Sequence, residues 1–414
     1  MLALLIPKSM ITSLIHERMA LSDQAINEVS SKWANGQVVS GPVLTIPLVY
    51  QNTDKTDDDK LITETHYLRI LPTELDIKGD IFPRERSRGI YKIILYESDL
   101  NISGSLKLPE FQKENLIEVK WDKAYLSMSI SDLRGIVDEI EFKLDQDILE
   151  VESGSRISSY NSGITMKCPN ASKLESDELD FSVKLKVQGS DKLHFTPDGD
   201  ITTININSSW PDPSFDGYVL PDSHETNESG FSASWKLLQL NRNYPTSWMG
   251  ISYFTKQAES SFGVSLFKGN GHYQKSLRSA KYGAMIIALN FLVFFLVELI
   301  NENRIHPFQY ILVGLALILF FSLLVALSEH ISYNQSFVVS ASATILLVSL
   351  YTKSILNSWK MAGLMATTLI TIYTFLFFTL QSTDYALLIG SVGLTAILGA
   401  TMYFTRNIKW YSGD

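Results

Sequence analysis

The sequence predicts a mixed membrane protein in which a large all-β domain, sandwich-like and antiparallel, precedes a C-terminal bundle of transmembrane helices. Two observations carry this prediction. The last third of the chain contains five apolar segments that lack ionised side chains through their middles, and the region before them alternates apolar and polar residues with the period of a half-buried strand. The mean hydropathy of +0.07 hides this division because it averages a polar part with an apolar one.

The five apolar segments are typical of transmembrane helices. Most are about 15 to 21 residues long, which matches a hydrocarbon layer of roughly 30 Å. The alternative is five buried helices of a soluble domain, and the short polar linkers between successive segments argue against it. The third segment is the least apolar because it contains three serines and a threonine. The segments are 282–300, 308–327, 337–351, 361–380 and 385–405.

The loops predict the orientation of these segments. Alternate loops carry lysine and arginine, whereas those around 328–336 and 381–384 carry none. Since basic residues are retained on the cytoplasmic side, the protein is predicted to be multi-pass with both termini cytoplasmic. Lys275, Arg278 and Lys281 oppose this orientation, but long translocated domains largely escape the charge rule. The basic residues on the cytoplasmic side are Arg304, Lys353, Lys360, Arg406 and Lys409.

Four regions follow in order along the chain. Residues 1–16 are predicted to be an N-terminal transmembrane anchor, incomplete because Pro7 and Lys8 interrupt a short apolar stretch, with the true start expected upstream. Residues 17–280 are predicted to form the external β-rich domain, and residues 281–405 are predicted to form a five-helix transmembrane bundle. Residues 406–414 form a cytoplasmic tail.

Within the β-rich domain, strands are predicted at 100–108, 126–130, 140–144 and 181–187, where apolar residues recur at every second position. Turn signals separate them at 78–80, 197–199 and 268–271. The acidic run 54–60 is predicted to be the solvated loop of a hairpin.

Composition argues against several classes of function. A net charge of −9 without a basic stripe argues against nucleic acid as a partner. The single cysteine, Cys168, cannot form an intrachain disulfide. The seven histidines are scattered without metal-ligand spacing, so no metal or cofactor is predicted. Ser214, His224 and Asp212 could form a hydrolase set, but no Gly-x-Ser-x-Gly elbow holds the serine, and the protein is predicted not to be an enzyme.

Four residues of the β-rich domain are candidates for binding a ligand. Arg88 closes an arginine cluster beside Gly89, and Arg134 follows Asp132. Trp210 and Phe215 lie in a Pro-rich aromatic stretch. Such residues more often have structural roles, since Pro and aromatic side chains fix a loop. Binding of a peptide, lipid or glycan at this stretch stays open.

Three ionisable residues of the apolar region are candidates of another kind. Glu298 lies near the inner end of its segment, and Glu329 with His330 lies at the outer end of the next. Ionisable groups in a bundle are functional candidates because an unpaired charge in hydrocarbon is costly. They could form a proton or substrate pathway, or simply lie at the membrane interface, where that cost falls.

Several longer motifs support a resemblance to a known family. The chain resembles the CreD family of bacterial inner-membrane proteins, described as cell-envelope integrity proteins, nearly from end to end. The resemblance implies a Gram-negative inner-membrane protein with one N-terminal helix, a large periplasmic domain and a C-terminal bundle, tied to envelope stress. It supplies no catalytic or cofactor residues. The motifs are GPVLTIP at 41–47, RGIY at 88–91, SDLRG at 131–135, SWPDPSF at 209–215, ESGF at 228–231, LNR at 240–242, HPFQYILVGL at 306–315, ALSEH at 326–330 and RNIKWY at 406–411.

The leading hypothesis is a non-enzymatic protein that supports envelope integrity and the response to envelope stress. Its periplasmic β domain would bind an envelope component or partner while the bundle anchors it. The expected partners are the lipid bilayer and either peptidoglycan, a lipid or another envelope protein. A transporter or flippase-like bundle that uses Glu298, Glu329 and His330 is the alternative, and an intramembrane hydrolase comes third.

Overall fold

A computed structural model describes residues 5–54, 60–266, 271–301 and 305–381, with isolated positions beyond 381. Two units are distinguished by their internal contacts. One comprises Met1–Gln24 together with Gly269–Asp414, and the other comprises Ala25–Lys268. We refer to them as the helical unit and the β-rich unit.

The chain begins with one long helix, α1 (Leu5–Trp33). Its residues up to Gln24 belong to the helical unit, and those from Ala25 onward belong to the β-rich unit. Residues 5–16 of the predicted anchor and residues 17–33 of the predicted β-rich domain are therefore parts of one continuous helix. Helix α1 is 29 residues long, but its described residues are not among those apolar enough to be a candidate membrane span.

Eighteen strands and a short helix, α2 (Phe254–Glu259), follow within the described part of the β-rich unit. The strands are β1 (Gln37–Asp54), β2 (Lys60–Ile70), β3 (Glu74–Arg88), β4 (Tyr91–Leu106), β5 (Leu116–Val119), β6 (Tyr125–Ile130), β7 (Glu141–Leu144), β8 (Asp147–Leu149), β9 (Val151–Ser153), β10 (Ile164–Lys167), β11 (Leu179–Ser190), β12 (Lys192–Phe195), β13 (Ile201–Ser208), β14 (Ser214–Gly217), β15 (Ser223–Asn227), β16 (Gly230–Leu238), β17 (Ser247–Met249) and β18 (Phe262–Ser265).

The strands form two sheets. The first has ten strands in the order β14-β18-β12-β1-β6-β10-β9, with β2 and β5 paired to β1, and β17 paired to β2. The second has eight strands in the order β15-β16-β13-β3-β4-β11-β7-β8. Most pairs are antiparallel, but β1 with β12 and β13 with β3 are parallel. The purely antiparallel prediction is wrong at these two pairs, because alternation shows which face of a strand is buried and not the direction of its neighbour.

One large hydrophobic core joins the two sheets. Leu44 and Leu126 of the first sheet belong to the same buried cluster as Ile77, Leu100 and Val183 of the second. The sheets therefore pack face to face as a sandwich. Strand β11 alternates buried and exposed residues as its sequence predicts. Strand β6 is buried on both faces, because Leu126, Met128 and Ile130 lie in the common core and Tyr125 lies in a second buried cluster with Trp248.

Of the turns and loops predicted in the β-rich domain, one is wrong, one is confirmed by its flanking strands and one lies largely outside the described residues. The predicted turn at 78–80 is wrong, since these residues lie inside β3. A Cβ on Gly79 would lie 2.6 Å from Leu100 Cδ2 and 3.0 Å from Ile206 Cδ1, so the glycine serves close packing rather than a turn. The predicted hairpin is confirmed by its flanks, because Asp54 pairs with Lys60; residues 55–59 lie outside the described part of the chain. The signal at 268–271 also lies largely outside it.

The helical unit continues with α3 (Gly271–Lys281), α4 (Gly283–Asn301), α5 (Pro307–Ser328), α6 (Tyr333–Leu356) and α7 (Trp359–Gln381). Helices α5, α6 and α7 are long and apolar enough to cross a membrane, and the bent pair formed by α3 and α4 makes a fourth candidate. An aromatic cluster holds α5, α6 and α7 together, with ring centroids 5.3 Å apart for Phe320 and Phe337 and 4.6 Å apart for Phe320 and Tyr373.

The described residues thus contain counterparts of four predicted apolar segments. The fifth, 385–405, and the predicted tail, 406–414, lie mostly outside the described residues. The five-helix bundle stays a prediction.

Candidate functional site

Arg134 joins the end of α1 to the first sheet. It lies in a 3-10 helix, Leu133–Gly135, where its Nε and Nη2 atoms donate to the two carboxylate oxygens of Asp132 at 2.9 and 2.6 Å. It also donates to the backbone oxygen of Ser31. Asp132 in turn accepts from the backbone N–H of Asn35 at 3.0 Å. These hydrogen bonds connect the end of α1 to the 3-10 helix that follows β6. They also lower the pKa of Asp132 to about 2, chiefly through Arg134.

Arg88 also contacts α1. Its Nη2 atom lies 3.1 Å from Oε1 of Glu28, which also accepts from Lys32 at 2.9 Å. The Arg88 side chain is 59% exposed, so this ion pair adds little to stability. Lys32 and Arg88 together lower the pKa of Glu28.

The aromatic candidates lie at the edge of the core rather than on an open surface. Phe215 is half-buried, with its ring centroid 5.6 Å from that of Phe231 and 5.8 Å from that of Trp235. Trp210 is half-buried and donates from Nε1 to the backbone oxygen of Asp212 at 2.9 Å. Both also pack against the common core. Their packing therefore accounts for these residue types without a ligand.

Glu298 lies at the junction of α4 and α5. Its Oε2 accepts from the Tyr310 hydroxyl at 2.7 Å, and its Oε1 accepts from the backbone N–H of Ile305 at 3.2 Å. The carboxylate thereby fixes the connection between the two helices.

Glu329 lies at the other end of α5, directly after its last residue. The Tyr273 hydroxyl donates to its Oε1 at 2.8 Å, and Arg18 Nε lies 3.8 Å from the same oxygen. The Glu329 side chain is only 9% exposed. The next residue, His330, is exposed, and its backbone N–H donates to the Leu327 oxygen at 2.9 Å. Glu329 is thus held within the helical unit, while His330 faces outward.

The structure does not bring the three ionisable candidates together. Tyr310, the partner of Glu298, and Glu329 are 19 positions apart in sequence at opposite ends of α5, which at 1.5 Å per helical residue is roughly 28 Å. Among the described residues, no contact links Glu298 to Glu329 or His330. A continuous pathway through all three therefore has no support in this geometry.

A buried polar network that the sequence did not reveal surrounds Asp198. This carboxylate is fully buried and accepts from Gly41 N at 2.5 Å, Gln257 Nε2 at 2.7 Å and the Tyr244 hydroxyl at 3.3 Å. Thr196 also donates to it, at 2.5 Å. Burial, with Asp198 nearby, raises the pKa of Tyr244. Asp198 thus joins the loop after β12 to the start of the GPVLTIP motif and to α2. The 197–199 turn signal located this loop without indicating that its carboxylate is buried.

An open depression on the first sheet brings together several cationic side chains. Its volume is about 600 Å³. Arg69, Lys123, Arg156 and Lys167 line it together with Asp122, and we call it the basic depression. Sequence reasoning missed it because its cations come from four separate segments, and Arg69 looks like an ordinary wet-face residue between Leu68 and Ile70.

The described residues offer no group of three or more His, Cys, Asp or Glu side chains that could hold a metal ion. Cys168 is buried, and burial raises the pKa of its thiol to about 12. The thiol is therefore protonated near neutral pH and is a poor nucleophile.

Comparisons with known proteins agree with the motif resemblance. A family model described as "Inner membrane protein CreD" matches residues 1–411. The chain is 28% identical over 412 residues to a protein of Escherichia coli named "Inner membrane protein CreD", covering 99% of this chain and 91% of that one. Among solved structures, an M1 zinc metallopeptidase from Deinococcus radiodurans matches 47% of this chain and 42% of its own, at 6% identity and a TM-score of 0.22. A score this low carries no argument about fold or activity.

Proposed function

Because the chain belongs to the CreD family of inner membrane proteins, we propose that it supports the integrity of the cell envelope without acting as an enzyme. In this proposal the apolar helices anchor it in the inner membrane, the β-rich unit lies in the periplasm, and that unit binds an envelope component. Family membership supports the membrane and the envelope role. Separate observations support the periplasmic position of the β-rich unit and its binding of an envelope component.

The helical unit supports a periplasmic position for the β-rich unit. Arg18 and Tyr273, which lie on either side of residues 25–268 in sequence, both contact Glu329 at the end of α5. The next helix, α6, leads to the opposite end of the bundle, where Lys353 lies over the Trp359 ring at 5.5 Å from its centroid. Lys360 is adjacent. Since lysines of short loops are retained in the cytoplasm, Lys353 and Lys360 support a periplasmic position for the Glu329 end. Lys275, Arg278 and Lys281 of α3 lie near that end, but they adjoin a long domain, and long translocated domains largely escape the charge rule.

The observation that carries the binding proposal is the basic depression. Its volume of about 600 Å³ lies in the range of ligand sites, and it combines cationic side chains with the rings of Tyr67 and Tyr125. A surface of this kind suits an anionic envelope component. The predicted alternative, transport through Glu298, Glu329 and His330, lacks comparable support because, among the described residues, no contact joins Glu298 to the other two.

Photo-crosslinking in intact cells tests the binding proposal. A photoreactive residue at Tyr67, which is 43% exposed in the depression, is expected to capture a lipid, glycan or protein of the envelope. The matched control is the same residue at Leu220, which is 71% exposed and lies outside the depression. Equal or absent capture at the two positions would contradict binding at this place.

A further inference from the structure

We propose that the basic depression binds a phosphate group, with Arg69 as its central ligand. This inference rests on the proposed binding function and names the chemistry of the component that is bound. The phosphate could belong to a lipid headgroup or be free, and the same side chains would hold it in either case.

Arg69 is a buried cation without a described counterion. The residue is only 4% exposed, yet it forms no ion pair with any residue that the structure describes. Its Nη1 donates to Thr45 and, at 3.0 Å, to the Tyr125 hydroxyl, and its Nε donates to Gly250 O at 3.4 Å. No described residue accepts from Nη2. Burying an unpaired charge is costly, so an anion in the depression would stabilise this side chain.

A second buried arginine of the β-rich unit, Arg242, has the carboxylate partner that a buried cation usually has. Arg242 is 7% exposed and pairs with Asp200 at 3.2 Å, while its Nη1 donates to Pro197 O at 2.9 Å. Arg242 therefore has a carboxylate within the protein. Arg242 lies over one ring, that of Tyr244, at 4.9 Å from its centroid, whereas Arg69 has three aromatic rings around its guanidinium, with centroids at 5.4, 6.0 and 5.8 Å. Such rings hold a guanidinium in place and leave its outward N–H groups for a ligand. The rings belong to Tyr67, Tyr125 and Phe254.

The charges around Arg69 favour a group with more than one negative charge. Lys123, Arg156 and Lys167 also line the depression, and Asp122 is its one described carboxylate. Glu152, outside the lining, partly neutralises two of these cations through contacts of 3.1 Å to Arg156 and 2.6 Å to Lys167. A positive excess remains after both carboxylates are counted, which suits a phosphate better than a single carboxylate.

Isothermal titration calorimetry on the full chain in detergent tests this inference. The probes are inorganic phosphate and dihexanoyl phosphatidic acid, with acetate and dihexanoylglycerol as controls. We expect both phosphates to bind and neither control to do so. Tighter binding of the phosphatidic acid would identify a lipid headgroup, and equal binding would identify the phosphate alone. Equal binding of acetate and phosphate, or no binding of either phosphate, would overturn the proposal.

Variants locate the site. Arg69→Gln is expected to weaken phosphate binding by about tenfold or more, since a charge-assisted hydrogen bond is lost. If this buried variant fails to fold, the more exposed pair Lys123→Gln with Arg156→Gln is expected to weaken binding by roughly threefold to tenfold. Arg84→Gln, on the second sheet, is the matched control and should bind as the wild type does. Unchanged affinity in the Lys123/Arg156 variant would overturn the proposal. Capture at Tyr67 without phosphate binding would leave the proposed function standing and remove only this inference.

Discussion

The hydroxyl of Tyr273 donates a 2.8 Å hydrogen bond to Oε1 of Glu329. Tyr273 is fully buried in α3, and Glu329 follows the last residue of α5. This bond therefore fixes the segment that returns from the β-rich unit against the end of a long apolar helix. Arg18 of α1 lies 3.8 Å from the same oxygen, so residues from both chain segments of the helical unit contact one carboxylate.

Tyr273→Phe should lower the stability of the helical unit. It removes a donor to a largely buried carboxylate, which typically costs about 1–3 kcal/mol. Thermal unfolding of the full chain in detergent would measure the loss. Tyr351→Phe is the control, because no described residue bonds to that hydroxyl, and it should unfold at the wild-type temperature. Identical midpoints for all three proteins would show that the Tyr273 bond does not matter.

Asp132 should make stability depend on pH in the acid range. Arg134 and nearby N–H groups lower the pKa of Asp132 to about 2 in the folded protein, against about 3.9 when unfolded. The folded state thus favours the charged form, so the stabilisation is complete above the unfolded pKa and is lost as the pH falls through the folded pKa. The difference in free energy of unfolding between wild type and Asp132→Asn should shrink by on the order of 1 kcal/mol from about pH 6 to about pH 3. Parallel curves over that range would contradict this prediction.

Asp198→Asn should destabilise the β-rich unit strongly. The carboxylate accepts four hydrogen bonds in a fully buried position, and an amide nitrogen there would face donors. The expected cost is about 2–3 kcal/mol, measured by chemical denaturation. Asp138→Asn, at an exposed carboxylate, should change stability by less than about 1 kcal/mol. Equal effects of the two changes would argue against the network.

Phe215 should matter for packing. Phe215→Ala removes contacts with Phe231 and Trp235 and should cost about 2–3 kcal/mol. Phe82→Ala, at a side chain that is 49% exposed, is the control and should cost much less. A wild-type melting temperature for Phe215→Ala would contradict this packing role.

Periodicity predicted the elements better than their partners. The alternation at 181–187 lies within β11, and the apolar segments at 308–327, 337–351 and 361–380 lie within α5, α6 and α7. These predictions succeed because a strand with one buried face alternates apolar and polar residues, and a wholly apolar helix is a continuous apolar run. Both patterns involve only residues that are close in sequence. The parallel pairing of β1 with β12 places Gln37 opposite Leu193. A contact between positions so far apart in sequence cannot be predicted from local sequence patterns.

The candidate sites were harder to predict for the same reason. Arg88 and Arg134 stood out in sequence, but their partners Glu28 and Asp132 could be identified only from the fold. The buried charges Arg69 and Asp198 did not stand out, since burial of a charged residue depends on distant segments that cover it.

The two membrane-region carboxylates were recognised only in part. Glu298 and Glu329 could be identified from the sequence as ionisable groups near the ends of apolar segments. Their tyrosine partners, Tyr310 and Tyr273, could be identified only from the fold, because each bond joins two different helices.

The central claim is that the apolar helices cross the membrane and leave the β-rich unit in the periplasm. Because the only cysteine, Cys168, is buried, a cysteine introduced as Glu228→Cys, at an exposed turn, or as Ser358→Cys, between α6 and α7, can be labelled selectively. With a membrane-impermeant maleimide on intact spheroplasts, Glu228→Cys should react at once, and Ser358→Cys should react only after the membrane is permeabilised. Labelling of Ser358→Cys but not Glu228→Cys in intact spheroplasts would contradict the account.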